Sequence, residues 1–173
     1  MTVKLYIATT LDGYIATEDD KLDWLFEVSG DGDNGYGNFM HTIRTVIMGM
    51  KTYDWLMNDE SVIKNGWPYS EQDSYVFTRQ NQSANTAVTF VNPDNIREFI
   101  STLAGDIWVV GGGEIIQLFL ENGCVDEMQI TIAPVLLGNG RRLFPSGNYA
   151  EKLKLIETKT YGQFVELHYL VTK

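Results

Sequence analysis

Cysteine and histidine are scarce: Cys124 is the only thiol, and His41 and His168 the only imidazoles, in 173 residues. A single thiol cannot close an internal disulfide, so a reducing, cytoplasmic setting is expected. Three such residues spread along the chain also argue against the usual Cys/His zinc sites, and no metal is expected. Cationic charge is short as well. The 13 Lys and Arg stand against 23 Asp and Glu, a formal net charge of −10. That balance disfavours nucleic acid and an anionic membrane surface as partners. A phosphorylated small molecule stays within reach, because a few local N–H groups and cations suffice to bind one. No apolar run approaches the roughly 18 residues of a membrane span, and "MTVKLYIATT" turns polar too soon for a signal peptide. With 4 prolines and no serine-rich tract there is no linker, so residues 1–173 are expected to form one domain with a sizeable core.

What is present alternates between two periods. In "VKLYIA", Val3, Leu5 and Ile7 alternate with Lys4, Tyr6 and Ala8, the pattern of a strand; "LDGYIA" adds an Asp-Gly turn at 12–13. "RTVIMG", "SYVFT", "AVTFVN" and residues 107–110 are further strands. "MKTYDWLM" reads as a helix just after Gly49, and a short helix is expected over residues 39–43. "NPDNIREFISTLAG" has proline near a helix start, Ile96, Phe99, Ile100 and Leu103 at helical spacing, and a closing glycine. Residues 114–121 form a helix ended by Asn122-Gly123. "EMQITIAPVLL", "LKLIETKTY" and "FVELHYLVTK" are strand-rich, with residues 161–163 as a tight connection. Residues 24–38 and 57–73 read as loops without a diagnostic motif. Early strands separated by helices suggest parallel pairing, and the closing hairpin antiparallel pairing. A mixed α/β sheet with helices on both faces follows.

Three strand-to-helix junctions carry chemistry. In "DIWVVGGGEIIQLFLENG" a β-branched run meets three glycines and then a helix. It is not the dinucleotide fingerprint, since Ile116 stands where the third spaced glycine belongs, and no Gly-Lys-Ser/Thr follows. Backbone free of Cβ atoms at a helix start still admits an anion closely; tight packing of strand on helix is the plain alternative. "TVIMGMKTYDWL" puts Gly49 at a strand end with Lys51 and Thr52 in the first helical turn, where N–H, hydroxyl and ammonium groups converge on a phosphate or simply cap and solvate the helix. "YVFTRQN" ends a strand on Thr78 and Arg79, the Arg suited to a phosphate, to an adenine face or to solvent.

In chain order, "IATTLDGYIA", "VIMGMKTYDWL", "YVFTR", "IWVVGGGEIIQLFL" and "DEMQITIAPVLLGNGRRLFP" resemble the dihydrofolate-reductase-like fold, in its branch related to the reductase domain of bifunctional riboflavin-biosynthesis enzymes. The resemblance runs from about residue 3 to residue 172. It implies a mixed, mainly parallel eight-stranded sheet with helices on both faces and a C-terminal antiparallel hairpin. It also implies a reductase that takes hydride from NADPH. Gly49, Lys51 and Thr52 would meet the cofactor phosphates; Val110, Gly111, Gly112, Gly113, Glu114 and Ile115 would line the second phosphate-facing turn. Thr78 and Arg79 would sit by the adenosine, and Ala8 and Ile15 by the nicotinamide. Asp12 would reach a substrate hydroxyl or cap its turn, and Trp24 would floor the substrate pocket or pack a lid. A homodimer is expected, with "EMQITIAPVLL" as its apolar surface.

The chain departs from that pattern in two places. Met50 stands where the family has an arginine, which leaves Arg79 and Lys51 to recognise the 2′-phosphate of NADPH. The carboxylate that assists protonation in dihydrofolate reductases has no aligned counterpart in "GDGDNGYGNFMHT"; Asp33 is nearest and Asp31 next, either of them a catalytic or a solvated loop acid. The expected activity is NADPH-dependent reduction of a small heterocyclic or sugar-linked substrate, such as a pyrimidine intermediate of riboflavin synthesis. The alternatives are a non-catalytic nucleotide-binding module of the same fold and a true dihydrofolate reductase.

Overall fold

The computed structural model describes residues 1–172. Its frame is one eight-stranded sheet. From one edge to the other run β5 (Thr89–Val91), β4 (Asp73–Phe77), β3 (Ile43–Gly49), β6 (Asp106–Gly111), β1 (Val3–Thr10), β7 (Glu127–Ala133), β10 (Phe164–Thr172) and β9 (Lys152–Tyr161). From β5 to β7 every pairing is parallel, while β10 is antiparallel to both β7 and β9. β2 (Tyr14–Ala16) and β8 (Arg141–Arg142) form a separate short antiparallel pair.

Strand parity builds two cores. Val46–Met48 of β3 and Ile107–Val110 of β6 are apolar at consecutive positions because both faces of these strands are covered. Leu5, Ile47, Ile107 and Val109 face one way, against Ile96 and Ile100 of α5 (Ile96–Ser101) and Ile116 and Phe119 of α6 (Gly113–Glu121). Val46, Met48, Val76 and Trp108 face the other, against Phe39 of α2 (Tyr36–Met40) and Tyr53 and Leu56 of α3 (Met50–Met57). A third, smaller cluster joins Trp24 of α1 (Asp23–Phe26) to Ala133 and Phe164.

Two expectations are corrected, and the place of β7 in the sheet is now defined. The short helix expected over 39–43 lies at Tyr36–Met40, because Asp33 caps it early: its carboxylate accepts from the Gly35 and Gly37 amides at 2.9 and 2.8 Å. The stretch 57–73 is not all loop, since Asp59 accepts from the Ser61 amide at the start of α4 (Glu60–Asn65). Finally, β7 lies between β1 and β10, so its backbone is paired on both sides and offers no sheet edge for a second subunit. The exposed edge is β9, where Leu153, Leu155 and Ile156 stand in solvent.

Candidate functional site

The parallel strands β3, β4 and β6 deliver their C-terminal ends, Gly49, Phe77 and Gly111, to one rim. β6 ends at Gly111, whose φ of +123° suits only glycine; the Gly111–Gly112 peptide is cis. Gly112 precedes α6 in extended conformation, and a Cβ built on it would lie 3.9 Å from Thr52 Oγ1 and 4.0 Å from Ile15 Cδ1. Residues from β2, α3 and the glycine turn therefore face one common space. Neither α3 nor α6 has a side-chain cap on its first turn, so leading N–H groups of both helices remain available to an acceptor. Lys51 and Glu114, on those first turns, pair at 2.7 Å and are well exposed.

The other two glycines serve packing. A Cβ on Gly49 would meet Ile115 Cγ1 at 2.8 Å, so Ile115 props the α3 start. One on Gly113 would meet the Arg142 carbonyl oxygen at 2.5 Å and the Pro145 ring at 3.1 Å. The triple glycine thus divides its work: Gly112 faces the open rim, whereas Gly113 lets the 142–145 segment lie against the helix.

Pairing of Gly49 with Phe77 sets Thr78 and Arg79 beside the α3 start. The Thr78 hydroxyl accepts from the Gln80 amide at 3.1 Å, and Arg79 lies 3.6 Å from the Asp94 carboxylate with both side chains exposed. Val110 packs at the edge of the second core. Ala8, half-buried, is on β1 opposite Thr131 of β7.

The three expected substrate-side residues fare differently. Asp12 accepts from the Thr10 hydroxyl (2.6 Å) and from the Leu137 and Gly138 amides (3.2 and 2.7 Å), which ties the first turn to the 137–138 loop. The Thr10 bond, with those two amides, holds the Asp12 carboxyl below its ordinary range. Trp24 is 6% exposed and packed into the small third cluster, and its Nε1–H has no acceptor. Asp33 is exposed, and the Gly37 and Gly35 amides lower its pKa. It is held as an anion at a helix start, which ill suits a proton donor.

One residue escaped the sequence reading. Glu166 on β10 is 3% exposed, directly opposite Thr131, while its neighbour Val165 is 41% exposed. Burial raises the Glu166 pKa, against the pull of Lys159 and His168. The signal was an acid on the inward parity of "FVELHYL", between Phe164 and His168. A hollow of about 620 Å³ between Tyr36, His41, Arg44 and Asp106 lies at the opposite strand ends and receives none of the expected residues. Among the described residues, no cluster of His, Cys, Asp and Glu is arranged to hold a metal ion. No helix there is long and apolar enough to cross a membrane.

The RibD C-terminal domain matches residues 1–167. Two uncharacterized proteins of Bacillus subtilis (strain 168) are similar: YwjB, 42% identical with 96% of this chain and 95% of that protein covered, and YyaP, 35% identical with 93% and 89% covered. A proposed riboflavin biosynthesis protein from Shewanella sp. PV-4 superposes over all of both chains, with TM-score 0.88 and 28% identity. Acinetobacter baumannii RibD superposes with TM-score 0.71 at 19% identity, covering 99% of this chain and 58% of that one. Enterococcus faecalis dihydrofolate reductase, complexed with NADP(H) and RAB-propyl, superposes with TM-score 0.65 at 15% identity, covering 99% and 97%. At those identities the last two show the fold alone: dihydrofolate-reductase-like, as the sequence motifs implied.

Proposed function

Since the chain belongs to the RibD C-terminal domain family, a family of reductase type, we propose that it is an NADPH-dependent oxidoreductase acting on a small heterocyclic or sugar-linked substrate. A pyrimidine intermediate of riboflavin synthesis is the leading substrate class, and the cytoplasm the expected setting. One observation carries the reading: the side of Gly112 that lacks a Cβ opens toward Thr52 and Ile15. This cradle would be filled by any larger residue, and it fits a phosphate-bearing ligand.

NADPH, when bound, supplies a hydride from its nicotinamide ring. The chain's own part is to bind and orient. Backbone N–H groups at the starts of α3 and α6, with the Thr52 hydroxyl and the Lys51 ammonium, offer donors to phosphate oxygens. Ala8 and Ile15 present small and aliphatic surface for a flat ring, and holding that ring against an acceptor accounts for much of the rate in such reactions. Arg79, at the end of β4, is the cation left to distinguish a 2′-phosphate from a hydroxyl, since position 50 is methionine.

The test is a titration of NADPH and NADH, followed by NADPH-oxidation assays against pteridines and aminopyrimidines. NADPH binds more tightly than NADH, and Arg79→Ala narrows the gap. A charge-assisted phosphate contact is worth up to about 1.5–3 kcal/mol, reduced here by exposure and by Asp94. Equal affinity for the two cofactors in the wild type would refute the assignment of Arg79. Tight NADPH binding without turnover of any substrate would favour a non-catalytic module instead.

A further inference from the structure

Reduction of a C=N or C=O group needs a proton as well as a hydride, and Asp33 is held ionised at a helix start. The polar groups on the sheet face over β1, β7 and β10 offer another source. Register places Ala8, Thr131 and Glu166 in one row across three adjacent strands, so Glu166 lies two strand spacings, roughly 10 Å, from Ala8 on the same face. Thr131 and Glu166 are both largely buried residues whose side chains make no hydrogen bond among the described residues, their oxygens keeping some contact with solvent. The nearby cations are already committed. Lys159, opposite Glu166 on β9, pairs with Glu157 at 2.9 Å, and His168 pairs with Glu127 at 3.2 Å. Tyr6, on the same face, donates to the Asn34 carbonyl at 3.1 Å.

One fully enclosed group near this face lacks a partner. Trp24 shares a cluster with Phe164, on Glu166's own strand, and Tyr161, on the neighbouring β9, and its Nε1–H meets no acceptor among the described residues. A fully enclosed donor without an acceptor is rare in folded proteins. An unpaired donor at Trp24 and a largely buried acid in the row that begins at Ala8 both suit a polar ligand.

Resting on the reductase reading above, we propose that Glu166 is the acid of this site, protonating the nitrogen or oxygen of a C=N or C=O group whose carbon receives hydride over Ala8. The carboxyl O–H bond breaks as the new N–H or O–H bond forms. NADPH is oxidised to NADP⁺, the substrate gains one hydride and one proton, and the Glu166 carboxylate is reprotonated from solvent. Burial favours the neutral acid needed for the first step, opposed at longer range by Lys159 and His168 and reinforced by Glu157.

Glu166→Gln keeps the volume and removes the transferable proton. NADPH affinity should be unchanged, and single-turnover reduction of the responsive pteridine or aminopyrimidine should fall by about 100-fold or more. The wild-type loss of rate at high pH should disappear from the residual rate, and Glu166→Asp should recover part of the activity. On the unmutated protein without cofactor, an infrared pH titration should show a protonated carboxyl band, absent from Glu166→Gln, that persists to higher pH than an ordinary Glu carboxyl. An active wild type with a Glu166→Gln variant of equal rate and unchanged pH profile overturns this inference alone, as does a Glu166 band that titrates no higher than an ordinary Glu carboxyl. A wild type that binds no NADPH or reduces nothing in the panel overturns the reductase reading and this inference with it.

Discussion

Two adjacent glycines should respond oppositely to the same added methyl group. At Gly113 the methyl carbon would sit 2.5 Å from the Arg142 carbonyl oxygen and 3.1 Å from Pro145 Cγ. That carbonyl cannot swing away as a side chain would. Arg142 is paired with Tyr14 across the short β2–β8 ladder, and the next amide, Leu143, donates to the Gly13 carbonyl at 2.9 Å. Overpacking of this kind costs about 1–3 kcal/mol. For a chain of this size each kcal/mol lowers Tm by about 2–4 °C, so Gly113→Ala should melt about 2–12 °C below the wild type. At Gly112 the methyl would lie in ordinary contact, 3.9 and 4.0 Å from its neighbours, on backbone of φ −73°. Gly112→Ala should therefore stay within about 1 kcal/mol of wild type. It should nevertheless weaken NADPH by about tenfold or more, equivalent to about 1.4 kcal/mol. Differential scanning calorimetry and fluorescence titration on the same two variants make the comparison. If Gly112→Ala melts lower than Gly113→Ala, or binds NADPH as the wild type does, the division of labour within the turn is wrong.

Two other outcomes can be checked without a substrate. The folded pKa of Asp12 lies below its unfolded value, so its stabilising contribution is complete above about pH 4 and is lost as pH falls through the folded pKa; Asp12→Asn should show a smaller drop in Tm between about pH 6 and pH 3, and an equal drop would detach Asp12 from acid stability. We propose association through the β9 edge, where Leu153, Leu155 and Ile156 are exposed: sedimentation at micromolar concentration should give a two-fold dimer that Leu155→Lys dissociates, and a wild-type species of 19.6 kDa would end that proposal.

The sheet strands were legible because their residues carry a local signal. β3 and β6 carry the apolar runs Val46–Met48 and Ile107–Val110, and α3 and α6 begin where glycine ends a strand. The missed elements carry almost none. α1 is a single turn, too short for a helical period to show, and β8 consists of two exposed arginines held by pairing with β2. Strand order is non-local in the same way: the alternation of "EMQITIA" gives its faces but not its neighbours, and only the fold shows it paired on both sides. At the site, residues beside glycines were readable because the required backbone freedom leaves a trace. Asp33 was not resolved as a cap because its partners are amides, which every residue type supplies. Glu166 could have been found by treating the exposed Val165 and inward Glu166 as a reversal of the usual strand pattern, which marks places where stability yields to another demand.

The ion pair between Lys51 and Glu114 gives the rim a counter-ion of its own. An anion docking between α3 and α6 meets an ammonium already neutralised by a neighbour and must compete for it. Because both partners are exposed, the pair itself contributes less than about 1 kcal/mol, so the competition tunes the approach without barring it. Ionic strength then acts on two attractions at once, that of Lys51 for the incoming charge and that of Lys51 for Glu114, and the two losses partly cancel. The pull of Lys51 on an anion at this rim would therefore respond only weakly to salt.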